Sequence, residues 1–393
     1  MHLITQQQAL DSACGLLAEA DYVTVDTEFM RERTYWPKLC LLQMARPAGP
    51  WGEEAAYLID PLSEIDLAPV FELMRDKAVI KVFHAARQDV EIFVNLMGEA
   101  PQPLFDTQIA AMVCGFGDQV GYETLVRRIA KAKLDKSSRF TDWARRPLSD
   151  KQLTYAIGDV THLREIYVSL SKRLESAGRE SWVASEMKAL TETSTYVVEP
   201  EHAWKRLKTR STDPRFLGVV KAVAEWRESE AQRRDVPRGR ILKDEAVLEI
   251  AANRPETRDQ LLASRALQRE GRKAEAIDAI LAAVQVGLAA PMEAPRGAPP
   301  PRQRSSNEGQ ALGDLLRVLL KAKAEKLGVA QRLIASAADI DAMAQGVRED
   351  VPALEGWRRE AFGEDALRMI RGELALTAGP GGVEVLERAT ATV

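Results

Sequence analysis

Between residues 21 and 115, short runs rich in β-branched and aromatic residues alternate with segments of helical period, and this alternation fixes the layers that the stretch can form. DYVTVDTEF (21–29), LCLLQMA (39–45), AAYLID (55–60) and AVIKVFHA (78–85) read as strands. IDLAPVFELMRD (65–76) and ARQDVEIFVNLM (86–97) read as helices, and LFDTQIAAMVCG (104–115) turns a short strand into another helix. The expected class is α/β, a mixed sheet covered by helices.

Beyond that stretch the strand signal stops. Pro147 and the capping-box sequence Ser149-Asp-Lys-Gln152 open a helix expected over about 150–172, where a first domain of residues 1–172 closes. Residues 173–208 read as a helical connector, and 209–290 as a small all-helical domain, its periodic segments broken by Pro and Gly. Residues 291–310 hold five prolines with Gly, Ser and Arg and no apolar period, which predicts an exposed linker. A second helical domain is expected over 311–380, built on the same coarse plan as the first, and the final 15 residues are expected to fray. For 393 residues, three domains fit the usual domain size.

Charge becomes informative only when divided along the chain. The total, 54 Lys+Arg against 58 Asp+Glu, gives a net charge of −4 and by itself points away from nucleic acid. Residues 1–170 hold 18 basic and 24 acidic residues, whereas 201–243 hold 12 and 6. An acidic head is followed by a basic middle. Cys14, Cys40 and Cys114 are odd in number and in no metal-ligand spacing, which favours a reducing compartment without structural zinc. The N-terminus lacks a basic segment followed by an apolar core, and no run of 18 apolar residues occurs, so a cytoplasmic protein with no membrane partner is expected, with a monomer as the default.

The sharpest local feature is Asp26-Thr27-Glu28 near the end of the first expected strand. Residues two apart on a strand share a side, so Asp26 and Glu28 can address one point. Two acids there repel unless a cation, a proton or a hydrogen-bond network compensates them, and a hard divalent ion suits oxygen ligands. The same pattern also fits a solvated strand end. Asp89 opens the helix after the AVIKVFHA strand, as a site residue or as a helix-dipole aspartate. Tyr155 and Asp159, four apart, share a helix face, which fits a site or a core tyrosine with a marginal acid.

Taken together, DTEF (26–29), FHAARQDVEIF (83–93) and YAIGDV (155–160) stand in the order of the three exonuclease motifs of the DEDD superfamily, and the chain resembles the ribonuclease D family. The likeness runs through RERTYWPKLCLLQMA (31–45) and DWARRPLSDKQLTYAIGDV (142–160), and implies a ribonuclease H-like nuclease domain. Residues 217–251, LGVVKAVAEWRESEAQRRDVPRGRILKDEAVLEIA, resemble the HRDC domain, a nucleic-acid-binding module, and the last unit resembles a divergent second copy.

The resemblance implies that Asp26, Glu28, Asp89 and Asp159 hold two divalent metal ions, Mg²⁺ or Mn²⁺, and that Tyr155 marks the tyrosine-bearing subclass. In this reading Asp26 bridges the ions, Glu28 and Asp159 hold the one beside the attacking water, and Asp89 helps hold the other. Tyr155 orients that water, since an unperturbed phenol with a pKa of about 10 is a poor base at neutral pH. The implied activity is hydrolysis of RNA from its 3' end to 5'-mononucleotides, on tRNA precursors with single-stranded 3' extensions and other structured RNAs. Candidate substrate contacts are Thr27, Phe29, His84, Lys136, Arg145 and Arg146. The run Arg233, Arg234, Arg238, Arg240 and Lys243 is a further basic candidate, and Trp226 fits a core anchor better than a stacking platform. The competing possibilities are a DNA-directed 3'→5' exonuclease and a non-catalytic RNA-binding scaffold.

Overall fold

The computed structural model describes residues 3–48, 56–134, 138, 141–267, 269–292 and 307–388. The apolar runs become β2 (Tyr22–Met30), β3 (Lys38–Ala45), β4 (Ala56–Ile59) and β5 (Ile80–Phe83), flanked by the two-residue β1 (Leu3–Ile4) and by β6 (Leu104–Asp106). They form one mixed sheet in the order β1-β4-β3-β2-β5-β6. β3 runs antiparallel to β2 and β4, and the other pairs are parallel. α1 (Gln7–Ala18), α2 (Ala68–Arg75), α3 (Arg87–Met97), α4 (Thr107–Val113) and the short α5 (Tyr122–Leu125) connect and cover the strands.

The longest helix, α6 (Asp150–Ala177), starts at the expected capping box: the Ser149 side chain accepts from the Gln152 N–H, and the Gln152 side chain accepts from the Ser149 N–H. It runs five residues past the expected end and stops at Gly178, whose φ of 61° is the left-handed conformation that glycine adopts without strain. α6 lies over β2, β3 and β4. The β1 pairing and this longer α6 were not legible in the periodicity. α7 (Glu180–Leu190) and two 3₁₀ turns then lead to the first helical unit.

That unit comprises α8 (Pro214–Arg233), α9 (Arg238–Ile241), α10 (Asp244–Asn253), α11 (Arg258–Leu262) and α12 (Ala274–Ala289). It has its own core, with Val219, Val223, Val247, Ile250, Ile280 and Val284 all buried, and Trp226 packs against that core. The second unit repeats the order: a long helix α13 (Asn307–Leu327), a four-residue α14 (Gln331–Ile334), then α15 (Ala337–Ala344), α16 (Gly356–Arg358) and α17 (Glu364–Ile370). Its buried residues are continuous with the nuclease core rather than separate from it. Trp357 stacks on Trp182 of α7 at 4.4 Å between centroids and 12° between planes. Arg179 donates to the carbonyls of Val113 and Leu327, and Arg358 bridges to Glu186.

Through residue 388 the expected frayed tail is corrected, and residues 389–393 lie outside the described residues. Leu374–Gly379 (β7) and Gly382–Glu387 (β8) form an antiparallel hairpin, with Leu374 buried and Leu376 and Val385 packed on the core. The alternation in LALTAG and GVEVLE around a Gly-rich turn is a strand signal that helical neighbours hide. Most of the expected 291–310 linker lies outside the described residues.

Because Trp357 ties the second unit to α7, Trp357→Ala should lower the unfolding free energy by about 3–5 kcal/mol. Urea denaturation of both proteins checks this, and a change below about 1 kcal/mol would mean that the stack contributes little.

Candidate active site

β2 carries the site because its pairing changes partway along. β5 pairs only with Tyr22–Thr24, which leaves that edge of β2 without a ladder partner from Val25 onward. On the other edge the β2–β3 register slips between Glu28 and Phe29, a bulge of the kind that re-aims side chains beside active sites. α6 is pinned across the strand by Thr24, whose hydroxyl donates to the Val160 carbonyl at 2.8 Å. Tyr122 pins it from the far side, donating to the carbonyls of Gly158 (3.1 Å) and Asp159 (2.7 Å). These two polar contacts bring Asp159 to β2.

As a result, one carboxylate oxygen from each of Asp26, Glu28 and Asp159 lies within 4.8 Å of the others. Burial, then the negative charges of Asp159, Asp89 and Glu28, push Asp26 well above the ordinary carboxyl range. A set of hard oxygen donors that repel one another this strongly fits a divalent cation. Asp89 is buried in the wall of the same cleft and is held by the Thr27 hydroxyl, which donates to it. Burial raises Asp89 to about 7, and the Thr27 bond opposes the rise.

Asp89 owes its position to a turn that the motifs do not reveal. The Asp106 carboxylate accepts from the backbone N–H groups of Ala85 (3.0 Å), Ala86 (2.9 Å) and Gln108 (2.7 Å). Ala85 is held at φ 57°, a conformation unusual for a residue with a Cβ, and α3 then begins at Arg87. One buried acid thus sets the helix that presents another.

Tyr155 lines the cleft and is hydrogen-bonded to Asp159. Burial and the nearby carboxylates of Asp159, Glu28 and Asp26 push its phenol far up, so it keeps its proton at neutral pH and acts as a donor. Its ring lies 6.1 Å from that of Trp143. The cleft, of about 720 Å³, is also lined by Phe29, His84, Gln88 and Asp142. His84 Nδ1 lies 3.0 Å from Thr107 Oγ1, and burial lowers its pKa against the pull of Asp106.

The other substrate candidates divide. Thr27 spends its hydroxyl on Asp89, and Phe29 both lines the cleft and packs on the core. Arg145 is exposed outside the cleft lining, and Lys136 lies outside the described residues. Arg146 is committed internally. It is bidentate to Asp60 at 2.6 Å and donates to the carbonyls of Cys40, Trp143 and Arg145, which leaves no donor for phosphate. Thr24, Tyr122 and Asp106 carry no motif signal, because Thr24 meets Val160 136 residues away, Tyr122 meets Gly158 and Asp159 36 and 37 away, and Asp106 meets Ala85 and Ala86 21 and 20 away, all on backbone atoms.

Comparison with known proteins accords with this geometry. A 3'-5' exonuclease family matches residues 1–175, and the HRDC domain family matches residues 216–284. Ribonuclease D of Jannaschia sp. is 54% identical over 387 residues, 98% of this chain and 99% of that protein. The chain belongs to the ribonuclease D family. Ribonuclease D of Granulibacter bethesdensis is 48% identical over 95% of this chain and 93% of its own length. The crystal structure of Escherichia coli RNase D, an exoribonuclease involved in structured RNA processing, matches with a TM-score of 0.78 at 29% identity, covering 94% of this chain and 98% of that one. The catalytic core of RRP6 from Trypanosoma brucei shares the fold, with a TM-score of 0.53 at 22% identity. Within the ribonuclease D family, and with its carboxylate cluster, the chain is an enzyme, a metal-dependent 3'→5' exonuclease of the DEDD type with an HRDC domain. No described helix is long and apolar enough to cross a membrane.

Asp26 and Asp89 bind protons more tightly in the fold than in the unfolded chain, so the metal-free fold loses stability as pH rises from about 4 through about 7. Mg²⁺ or Mn²⁺ should therefore raise the melting temperature more at pH 8 than at pH 5, and Asp26→Asn should flatten that difference. Calorimetry with and without chelator tests it; equal metal shifts at both pH values would contradict it.

Proposed function

We propose that this enzyme hydrolyses RNA from the 3' end, releasing 5'-mononucleotides, with Asp26, Glu28, Asp89 and Asp159 as metal ligands and Tyr155 as the water-positioning residue. The observation that carries this reading is the convergence of Asp26, Glu28 and Asp159 within 4.8 Å in a chain whose first 175 residues match a 3'-5' exonuclease family. Two divalent cations, Mg²⁺ or Mn²⁺, would supply an attacking water of lowered pKa and charge stabilisation at the leaving 3'-oxygen.

The chain's own residues do the rest. Asp26, Glu28 and Asp159 form the ligand face, and Asp89, held by Thr27, lines the same cleft. Tyr155 keeps its proton, steadies Asp159 through their hydrogen bond, and offers its phenol to the water that attacks phosphorus. Phe29 supplies an aromatic wall against which the terminal base can stack. His84, neutral at pH 7, lines the same cleft as a substrate contact.

RNA as substrate draws support from the relatives named ribonuclease D and from the Escherichia coli enzyme's part in structured RNA processing. On that basis we assign tRNA precursors with single-stranded 3' extensions as substrates and the cytoplasm as the place of action. We divide the chain functionally into a nuclease domain to residue 172, a connector to 208, and helical units over 209–290 and 311–380.

Asp26→Asn and Asp159→Asn should each lower kcat at least about 10³-fold, since several kcal/mol of charge stabilisation depend on them. Tyr155→Phe should lower kcat about 10- to 100-fold with KM little changed. Matched 5'-labelled RNA and DNA, with single-stranded or hairpin 3' ends, give the test. The expected result is a 3'→5' ladder on RNA that stops at the hairpin and disappears with chelator. Near-normal cleavage by either Asn variant, or a ladder that survives chelation, would sink the reading; equal cleavage of DNA would remove its RNA preference.

A further inference from the structure

The first helical unit meets the nuclease domain beside the cleft, and the meeting is polar. The backbone N–H groups of Tyr35 and Trp36, in the loop between β2 and β3, both donate to Asp235 at 3.0 Å. The Tyr35 hydroxyl donates to Glu228, which is fully buried, and Arg238 lies 3.1 Å from the same carboxylate with its guanidinium over the Tyr35 ring at 5.7 Å. These contacts fix a cavity of about 380 Å³ between the β2–β3 loop, the start of α3, the connector and α9. Four arginines line it, Arg31, Arg87, Arg206 and Arg238, against a single acid, Glu91, and Trp36 forms part of its wall.

The arginines are not equivalent. Arg31 is bidentate to Glu91 at 2.7 Å, and Arg238 is neutralised by Glu228. Arg87 and Arg206 are exposed and have no ion pair among the described residues; Arg87 lies over the Tyr196 ring at 5.8 Å. Two uncompensated guanidinium forks in one concave site suit an oxyanion with several acceptors, which is the chemistry of a phosphodiester. Arg31 lines both this cavity and the catalytic cleft, so the two adjoin.

From these observations we propose that the cavity is a subsite for a phosphodiester of the substrate strand, on the 5' side of the bond being cut, with Arg87 and Arg206 as its ligands. The direction rests on the 3'→5' exoribonuclease reading: with the 3'-terminal nucleotide in the cleft, all other phosphates of the strand lie on its 5' side. Aromatic faces among cations are the usual surroundings of a single strand. The subsite makes the first helical unit a direct part of substrate binding, since Arg238 and Asp235 build it, and it sets a minimum length for tight binding.

The test uses the full chain with Arg206→Ala, Arg87→Ala, the double variant and Arg206→Lys. Binding of fluorescent single-stranded RNA of about 3 to 16 nucleotides is measured in chelator across a salt series, and kcat and KM are measured with Mn²⁺. For the longest RNA each Ala variant should raise Kd and KM about tenfold, with kcat within about twofold and a salt slope smaller by about one. Arg206→Lys should recover part of the affinity, and the shortest RNA should be unaffected. Unchanged melting temperatures would show that the variants fold. Equal losses at every length, or none at 16 nucleotides, would overturn the proposal. So would displacement of inorganic phosphate or a free 5'-mononucleotide from the variants with long RNA binding intact, which would assign the cavity to a free anion. If the wild type binds RNA in the expected length-dependent way but does not shorten it, the exoribonuclease reading fails and the subsite stands.

Discussion

Mutual repulsion among carboxylates gathered at one partly buried point is the constraint around which this protein is built. Asp26, Glu28 and Asp159 would separate if each could choose its own solvation, and Asp26 is held well above its ordinary pKa by burial and then by its acidic neighbours. What prevents separation is neutral scaffolding. Thr24 and Tyr122 hold the backbone of α6 at Val160, Gly158 and Asp159, and the bulge at Glu28/Phe29 turns the strand end toward it. The fold stores the repulsion in a rigid frame, and a divalent cation converts it into affinity.

The two helical units serve this frame differently. The second shares the nuclease core, through Trp357 on Trp182 and Arg179 on the carbonyls of Val113 and Leu327, and so stiffens the domain at α4 and α7. The first keeps its own core and reaches the nuclease domain through Tyr35, Glu228, Asp235 and Arg238. Buried charge at that junction is compensated pair by pair, which gives the contact a defined geometry as well as adhesion.

Much of the architecture could be read from the sequence because period and capping are local. The strands of residues 21–85, the capping box at Ser149 and the same-side placement of Asp26 and Glu28 all follow from neighbours in the chain. What could not be read depends on partners far away. The Thr27 hydroxyl holds Asp89, 62 residues on. Arg146 was a candidate phosphate ligand, yet Asp60 consumes it. In the basic middle, Arg227 is buried on Asp244 and the Leu242 carbonyl, while Arg233 and Arg234 are paired with Glu230 and Glu270. Composition counts charges without showing which are already spent.

The central claim is that this carboxylate cluster is a metal centre held in place by the fold. Electron paramagnetic resonance of Mn²⁺ titrated into the full-length protein at pH 7.5 measures it without reference to any substrate. The account predicts saturable Mn²⁺ binding that Asp26→Asn abolishes and that Thr24→Val weakens by loosening α6 over β2. Mn²⁺ binding of equal affinity in the wild type and Asp26→Asn would contradict it.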